Sequence, residues 1–213
     1  MKKSVYSLVL TDDIVAQVDR VAYAAGTSRS NMINQILAEY VSYVTPEKRM
    51  REIFSAAENL LRDLSGTQLM LQPSDSMLNL RSALHYKYNP TVRYSVELFR
   101  DSGGAAGQLR ISLRSQNETL ILLLRSFFLL WQQVEQNAVG PVQCTIEDGR
   151  YTRLLQPTAP LGSQALGQLI AAYIQTLDSA MKAYFTLLEQ PTQAARKIEA
   201  LYAHYIKEYP VIL

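Results

Sequence analysis

The chain has one cysteine, Cys144, so no disulfide can close within it, and nothing ties it to an oxidising compartment. Its two histidines, His85 and His204, lie far apart in sequence and leave no ligand spacing for a metal ion. Glycine is sparse, and its densest cluster, Gly103, Gly104 and Gly107, lacks the Lys-Ser/Thr that completes a phosphate-cradling loop. No apolar run is long enough to cross a bilayer, and the greasiest stretch, Thr119 to Gln136, is cut by Arg125. Met1-Lys2-Lys3 resembles the start of a signal peptide, but the apolar run behind it stops at Asp12-Asp13. Asn117-Glu118-Thr119 is then a chance match to a glycosylation sequon. Charge is balanced, 21 basic residues against 19 acidic, which speaks neither for a strong polyanion binder nor against one. Repeats and low-complexity segments are missing too. These absences predict a cytoplasmic protein that is not an enzyme and carries no cofactor.

What is present is 48% hydrophobic and 19% charged over 213 residues, a globular composition that suits a small domain followed by a larger one. The first forty-five residues predict a short strand, Ser4 to Leu10, then a helix opened by Thr11-Asp12-Asp13. Ile14, Val18, Val21, Ala22 and Ala25 share one face of that helix. Gly26 stops it, and Ser28 caps a second helix whose stripe is Ile33, Ile36, Leu37, Tyr40 and Val44. So short a segment cannot bury a core alone, which implies pairing with a second copy.

The order of strand, Leu-Thr-Asp-Asp-Ile, Val-Asp-Arg-Val-Ala and Gly-Thr-Ser-Arg-Ser-Asn-Met-Ile resembles the ribbon-helix-helix DNA-binding family of the Arc and MetJ type. The resemblance covers about the first fifth of the chain. It implies an antiparallel ribbon, one strand from each protomer, that enters the major groove of double-stranded DNA. Tyr6, Leu8 and Leu10 would then face the dimer core, while Lys3, Val5, Ser7 and Val9 face the bases. The backbone N–H groups of Arg29 and Ser30, with the Ser28 hydroxyl, would clamp a phosphate. The outward set departs from the family in carrying two valines and a serine where long polar side chains are usual, so strongly discriminating bidentate contacts are missing. Within residues 1–45, Lys2, Lys3, Arg20 and Arg29 balance Asp12, Asp13, Asp19 and Glu39. DNA binding would require Lys2, Lys3 and Arg29 near the ribbon, and the acids on the helical backs.

Pro46 opens a linking helix with Met50, Ile53, Phe54, Ala57, Leu60, Leu61 and Leu64 on one face, which should pack on the second domain. From Thr67 to Ser115 the period becomes two. A short strand spans Leu69 to Gln72, and Pro73-Ser74-Asp75 closes it. Leu84, Tyr86 and Tyr88 alternate with Ala83, His85 and Lys87; Val92, Tyr94, Val96 and Leu98 follow, then a loop Asp101 to Gly107, then Leu109, Ile111 and Leu113. This predicts an antiparallel meander with one greasy and one wet face. Thr119 to Gln136 reads as a buried helix against the greasy face, and Asp148-Gly149 as a hairpin turn between Val142–Glu147 and Tyr151–Leu155. A long helix from Ser163, whose Leu166, Ile170, Tyr173, Leu177, Ala180, Tyr184 and Leu187 suit bundle or dimer packing, ends before Pro191. A last helix carries Ala194, Ile198, Leu201 and Tyr205.

The fold class expected is α+β: a ribbon-helix-helix dimerisation unit at 1–45, a linking helix at 46–66, and an antiparallel-sheet domain packed with long helices at 67–213. The second domain offers a basic wet face, Arg81, His85, Lys87, Arg93, Arg110 and Arg114, as a candidate surface for an anionic ligand, DNA backbone or acidic partner. Thirteen tyrosines, among them Tyr86, Tyr88, Tyr94, Tyr173 and Tyr184, would either line a small-molecule pocket or fill the core. Taken together these features describe a bacterial transcriptional regulator, a repressor by preference, acting as a homodimer or a dimer of dimers on DNA. Its C-terminal domain would bind an effector or a protein partner. An accessory DNA-binding protein of plasmid transfer or partition, and a dimeric scaffold that binds no DNA, fit the same residues.

Overall fold

The computed structural model describes residues 5–62, 66–70, 74–100 and 104–213. The chain divides into two units, Met1–Arg49 and Met50–Leu213.

In the first unit, Thr11 is extended and precedes α1 (Asp12–Ala24), with Asp12 and Asp13 on the positive end of the helix. Gly26 takes a left-handed φ of 60° and turns the chain, and Thr27 N–H donates back to the Ala22 carbonyl at 2.9 Å. Ser28 then caps α2 (Arg29–Tyr40), its Oγ accepting from Asn31 N–H at 3.3 Å. The second helix stops at Tyr40, short of Val44, where Ser42 swings to a φ of 55°.

The expected strand is not formed within the chain. Val5 to Leu10 have no regular secondary structure and are all exposed; Ser4 lies outside the described residues. Tyr6 and Leu8, expected in a core, are 83% and 61% exposed. A strand is held by the neighbour it pairs with, and among the described residues none pairs with this segment. The helices are covered as thinly: only Val18, Ala22 and Met32 are buried, with Ile33 packed beside them. Ile14, Val21, Ile36 and Leu37 of the two expected stripes stay near half exposed.

The second unit takes in α3 (Pro46–Leu61) from Met50 onward, and Met50, Ile53, Phe54, Ala57 and Leu61 belong to its core. Leu64, expected on the same face, lies outside the described residues. The sheet comprises β1 (Thr67–Leu69), β2 (Met77–Ala83), β3 (Thr91–Leu98), β4 (Gly107–Leu113), β5 (Cys144–Glu147) and β6 (Arg150–Leu155), in the order β1-β2-β3-β4-β6-β5 and antiparallel throughout. The meander and the Asp148-Gly149 hairpin, with Gly149 at a φ of 66°, therefore join into one surface. Two boundaries differ from expectation. β1 lies earlier than Leu69 to Gln72, of which Leu71 and Gln72 are outside the described residues, as are Asp101 to Gly103 of the glycine loop. The pairing strand is Met77–Ala83, while His85 to Tyr88 form a turn.

One sheet face carries Leu78, Leu80, Val92, Tyr94, Val96, Leu109, Ile111, Tyr151 and Leu155, all buried, in strict alternation along each strand. α4 (Glu118–Val139) and α5 (Ser163–Thr186) pack against it: Phe128 stacks on Tyr151 at 5.1 Å, and Tyr94 OH donates to Asp178 at 2.8 Å. α6 (Pro191–Glu208) forms a further layer, with Tyr202 edge-on to Trp131 and Tyr205 to Tyr173. The four-three rhythm of α5 is spent inside the chain, since Leu166, Ile170, Tyr173, Leu177 and Ala180 are all buried there.

α3 crosses α5 at Gly167, where a Cβ would sit 2.2 Å from the Ile53 carbonyl oxygen and 2.8 Å from the Ala56 Cβ. Backbone cannot yield as a side chain does. Gly167→Ala should therefore cost roughly 1–3 kcal/mol, seen as a lower urea midpoint with an unchanged slope.

Candidate nucleic-acid interface

In the first unit the extended segment shows a graded alternation. Val5 and Val9 are 100% and 102% exposed, against 83%, 61% and 37% for Tyr6, Leu8 and Leu10. The even set is thus the more sheltered one. Ser7 is exposed with the odd set, and Lys3 lies outside the described residues. At the start of α2, Ser28 Oγ is already engaged by Asn31 N–H, and Asn31 Nδ2 donates to Thr27 Oγ1 at 2.7 Å. The backbone N–H groups of Arg29 and Ser30 open the helix, where the first donors have no intrahelical acceptor.

The expected segregation of charge does not hold for Arg29. Its guanidinium makes a two-pronged contact with Asp19 of α1, Nε to Oδ1 at 2.6 Å and Nη2 to Oδ2 at 2.5 Å. Hydrogen bonding to Arg29 holds the Asp19 carboxyl below its ordinary range, and the same contact raises Arg29. The side chain fixes α2 to α1 and is not presented as a free cation.

On the outer face of the sheet the register assembles a patch that crosses four strands. Arg81 lies directly opposite Arg93, Arg93 opposite Ser112, and Ser112 opposite Arg150. One step along, Ser95 faces Arg110 and Arg110 faces Thr152. All four arginines are exposed. Glu97 accepts a hydrogen bond from Gln108 at 2.8 Å, and Glu147 pairs with Arg150 at 3.2 Å. Among the described residues no carboxylate pairs with Arg81, Arg93 or Arg110. Like charges directly across a strand pair oppose sheet formation, so Arg81 facing Arg93 is a cost the fold carries.

No family model, curated protein or solved structure matches this chain.

Three of the expected wet-face residues belong elsewhere. His85 and Lys87 sit in the β2–β3 turn, because the strand ends at Ala83 and the chain reverses through Tyr88 and Asn89 at φ values of 66° and 45°. Arg114 lies just past β4, beside a shallow groove that Ser115, Gln116, Ile121 and Asp148 also line. Arg150 joins the face instead, and sequence parity with Thr152 was the signal for it.

Of the five tyrosines singled out, two belong to the buried core and one is fully exposed. Tyr94 and Tyr173 are buried with their hydroxyls engaged, Tyr86 packs edge-on to Phe185, and Tyr88 is fully exposed. Between sheet and helices lies a polar cluster that the alternation pattern concealed. Glu135 of α4 and Arg153 of β6 are both fully buried and meet at 3.1 Å. Tyr151 and Tyr173 hydroxyls each donate to Glu135 at 3.0 Å, and Trp131 Nε1 donates to Tyr173 OH at 3.0 Å. Arg153 Nη2 donates to the Leu213 backbone oxygen at 2.7 Å, and its guanidinium lies 4.8 Å from the Tyr173 ring centre. Burial pushes the Glu135 carboxyl above its ordinary range despite Arg153. Tyr202 and Tyr205 hydroxyls are buried nearby, without a hydrogen-bond partner among the described residues.

Cys144 accepts from Gln132 Nε2 at 3.2 Å, and burial raises its thiol, which disfavours the nucleophilic thiolate. Among the described residues no three His, Cys, Asp or Glu side chains are grouped to hold a metal ion. Among those residues, likewise, no helix is long and apolar enough to cross a membrane.

Proposed function

We propose that the chain is a sequence-specific DNA-binding regulator, a repressor by preference, that dimerises through a ribbon-helix-helix unit at its N-terminus. The observation that carries this reading is the inverted burial of the first unit: three buried apolar side chains against exposed Tyr6, Leu8, Ile14, Val21, Ile36 and Leu37. A unit this small keeps its helices only if a second copy covers that surface. Pairing two Val5–Leu10 segments would place the more sheltered Tyr6, Leu8 and Leu10 inward, leaving Val5, Ser7 and Val9 for the major groove. The capped start of α2 supports the phosphate clamp at Ser28, Arg29 and Ser30. The second unit would set the spacing of dimers on DNA, or change it on binding an effector or partner.

A gel shift on the region upstream of its own gene tests this. Lys3→Ala and Ser7→Ala should each weaken sequence-dependent binding by roughly tenfold. A scaffold would show no such binding to lose. Asp19→Asn gives a second check, because it releases Arg29 toward the backbone. Stability should barely change, as the pair is exposed. The salt dependence of DNA binding should steepen by roughly 0.9 in log–log slope for each phosphate gained.

A further inference from the structure

We infer that the outer face of the sheet, centred on Arg81, Arg93 and Arg110, is a second DNA-binding surface that grips the phosphate backbone of duplex DNA without reading its sequence. Three features of the patch carry the inference. The cations are all arginine, whose planar fork suits phosphate oxygens, and among the described residues Arg81, Arg93 and Arg110 have no carboxylate partner. Asn79, Ser95, Ser112 and Thr152 stand between them on the same face, and such neutral groups complete backbone contacts in protein–DNA interfaces. The direct Arg81–Arg93 pairing disfavours the fold, and a polyanion laid across the strands would relieve it.

The form of the face selects the ligand. It is an open sheet surface, whereas small ligands are bound in concave sites. Among the described residues the patch presents no aromatic anchor, and the apolar side chains at its margins, Met77 and Leu154, are partly buried, so it lacks the hot spot a protein partner would need. Single strands are held by stacking on aromatic side chains, and the patch offers none. An extended polyanion held by charge remains. From β2 to β6 the patch spans roughly 14 Å at the usual strand spacing of about 4.8 Å. At a rise of roughly 3.4 Å per nucleotide, that is room for three or four phosphates of one strand. The choice of DNA over other polyanions rests on the function proposed above; the surface itself does not.

The test is fluorescence anisotropy of the full chain on a duplex of scrambled sequence across a potassium chloride series. It compares the natural chain with R81Q/R93Q/R110Q and with R81K/R93K/R110K. The glutamine variant should lose roughly 2.7 from the magnitude of the log K against log salt slope, about 0.9 per phosphate, and the lysine variant should keep most of it. Its thermal midpoint should not fall, since a repulsive pair has been removed. An unchanged slope overturns the inference, and so does a loss of polyglutamate binding with the DNA slope intact, which would mark an acidic protein as the partner. A parallel series on the upstream region with Ser7→Ala separates the two readings. A glutamine variant with unchanged slope beside a defective Ser7→Ala overturns only the sheet surface. The reverse pattern overturns only the ribbon.

Discussion

Arg153→Met is expected to destabilise the second unit by roughly 3–5 kcal/mol. The cause is the residue left behind. Glu135 is fully buried, and Arg153 is the cation that meets it. Methionine fills much of the volume and still leaves a buried carboxylate with two tyrosine hydroxyls but no cation, along with a Leu213 backbone oxygen deprived of its donor. The deficit should shrink in acid. A carboxyl whose folded pKa lies above its unfolded value favours folding at low pH, and that contribution is lost as pH rises through the folded value. Burial already raises Glu135 in the natural chain, and losing Arg153 raises it further. Urea unfolding followed by Trp131 emission, at about pH 5 and about pH 8, reads both effects. Trp131 is the sole tryptophan and sits within the cluster, donating to Tyr173. E135L/R153M should recover most of the loss, because an apolar pair of similar volume often replaces a buried ion pair without cost. A single variant within about 1 kcal/mol of the natural chain would show that the pair carries little of the core's stability.

Leu37→Glu should weaken self-association by at least roughly a hundredfold, about 2.7 kcal/mol. Leu37 is 50% exposed on α2, on the stripe it shares with Ile33 and Tyr40. Full burial of a leucine contributes about 1.5–3 kcal/mol, so covering the exposed half gives about half of that, and a two-fold interface counts it twice. Glutamate forfeits this and adds two carboxylates to an apolar contact. Sedimentation equilibrium should show a dimer for the natural chain and a monomer for the variant. Helical signal should fall with dissociation, since Val18, Ala22 and Met32 alone cannot hold α1 and α2. A natural chain that stays monomeric at micromolar concentration, with both helices intact, would sink the dimer and the ribbon together.

The elements legible in the sequence were those whose signals are local. Pro46 with the stripe from Met50 fixed α3; Asp148-Gly149 fixed the β5–β6 turn; Pro191 separated α5 from α6. Period two alone does not place β2, because Leu78, Leu80 and Ser82 alternate no better than Leu84, Tyr86 and Tyr88. What decides between them is the left-handed backbone at Tyr88 and Asn89, which turns the chain before Pro90 and which period-two counting does not register. For that reason His85 and Lys87 fall in a turn and leave the sheet face, on which Arg81, Arg93 and Arg110 lie. The Glu135–Arg153 pair was hidden by its own position. Arg153 has the parity of Tyr151 and Leu155, and Glu135 follows Trp131 by four residues, so each marked an apolar face interrupted by charge. Only the tertiary structure joins the two interruptions.

The lengths of the strands have a consequence for crowded solution. The interior strands run from six to eight residues, but the two outermost, β1 and β5, have three and four. So few unpaired backbone groups make a poor template for a foreign strand. The larger unit should therefore resist fibre growth even at high concentration, and stacking of neighbouring copies should proceed through helices or side chains.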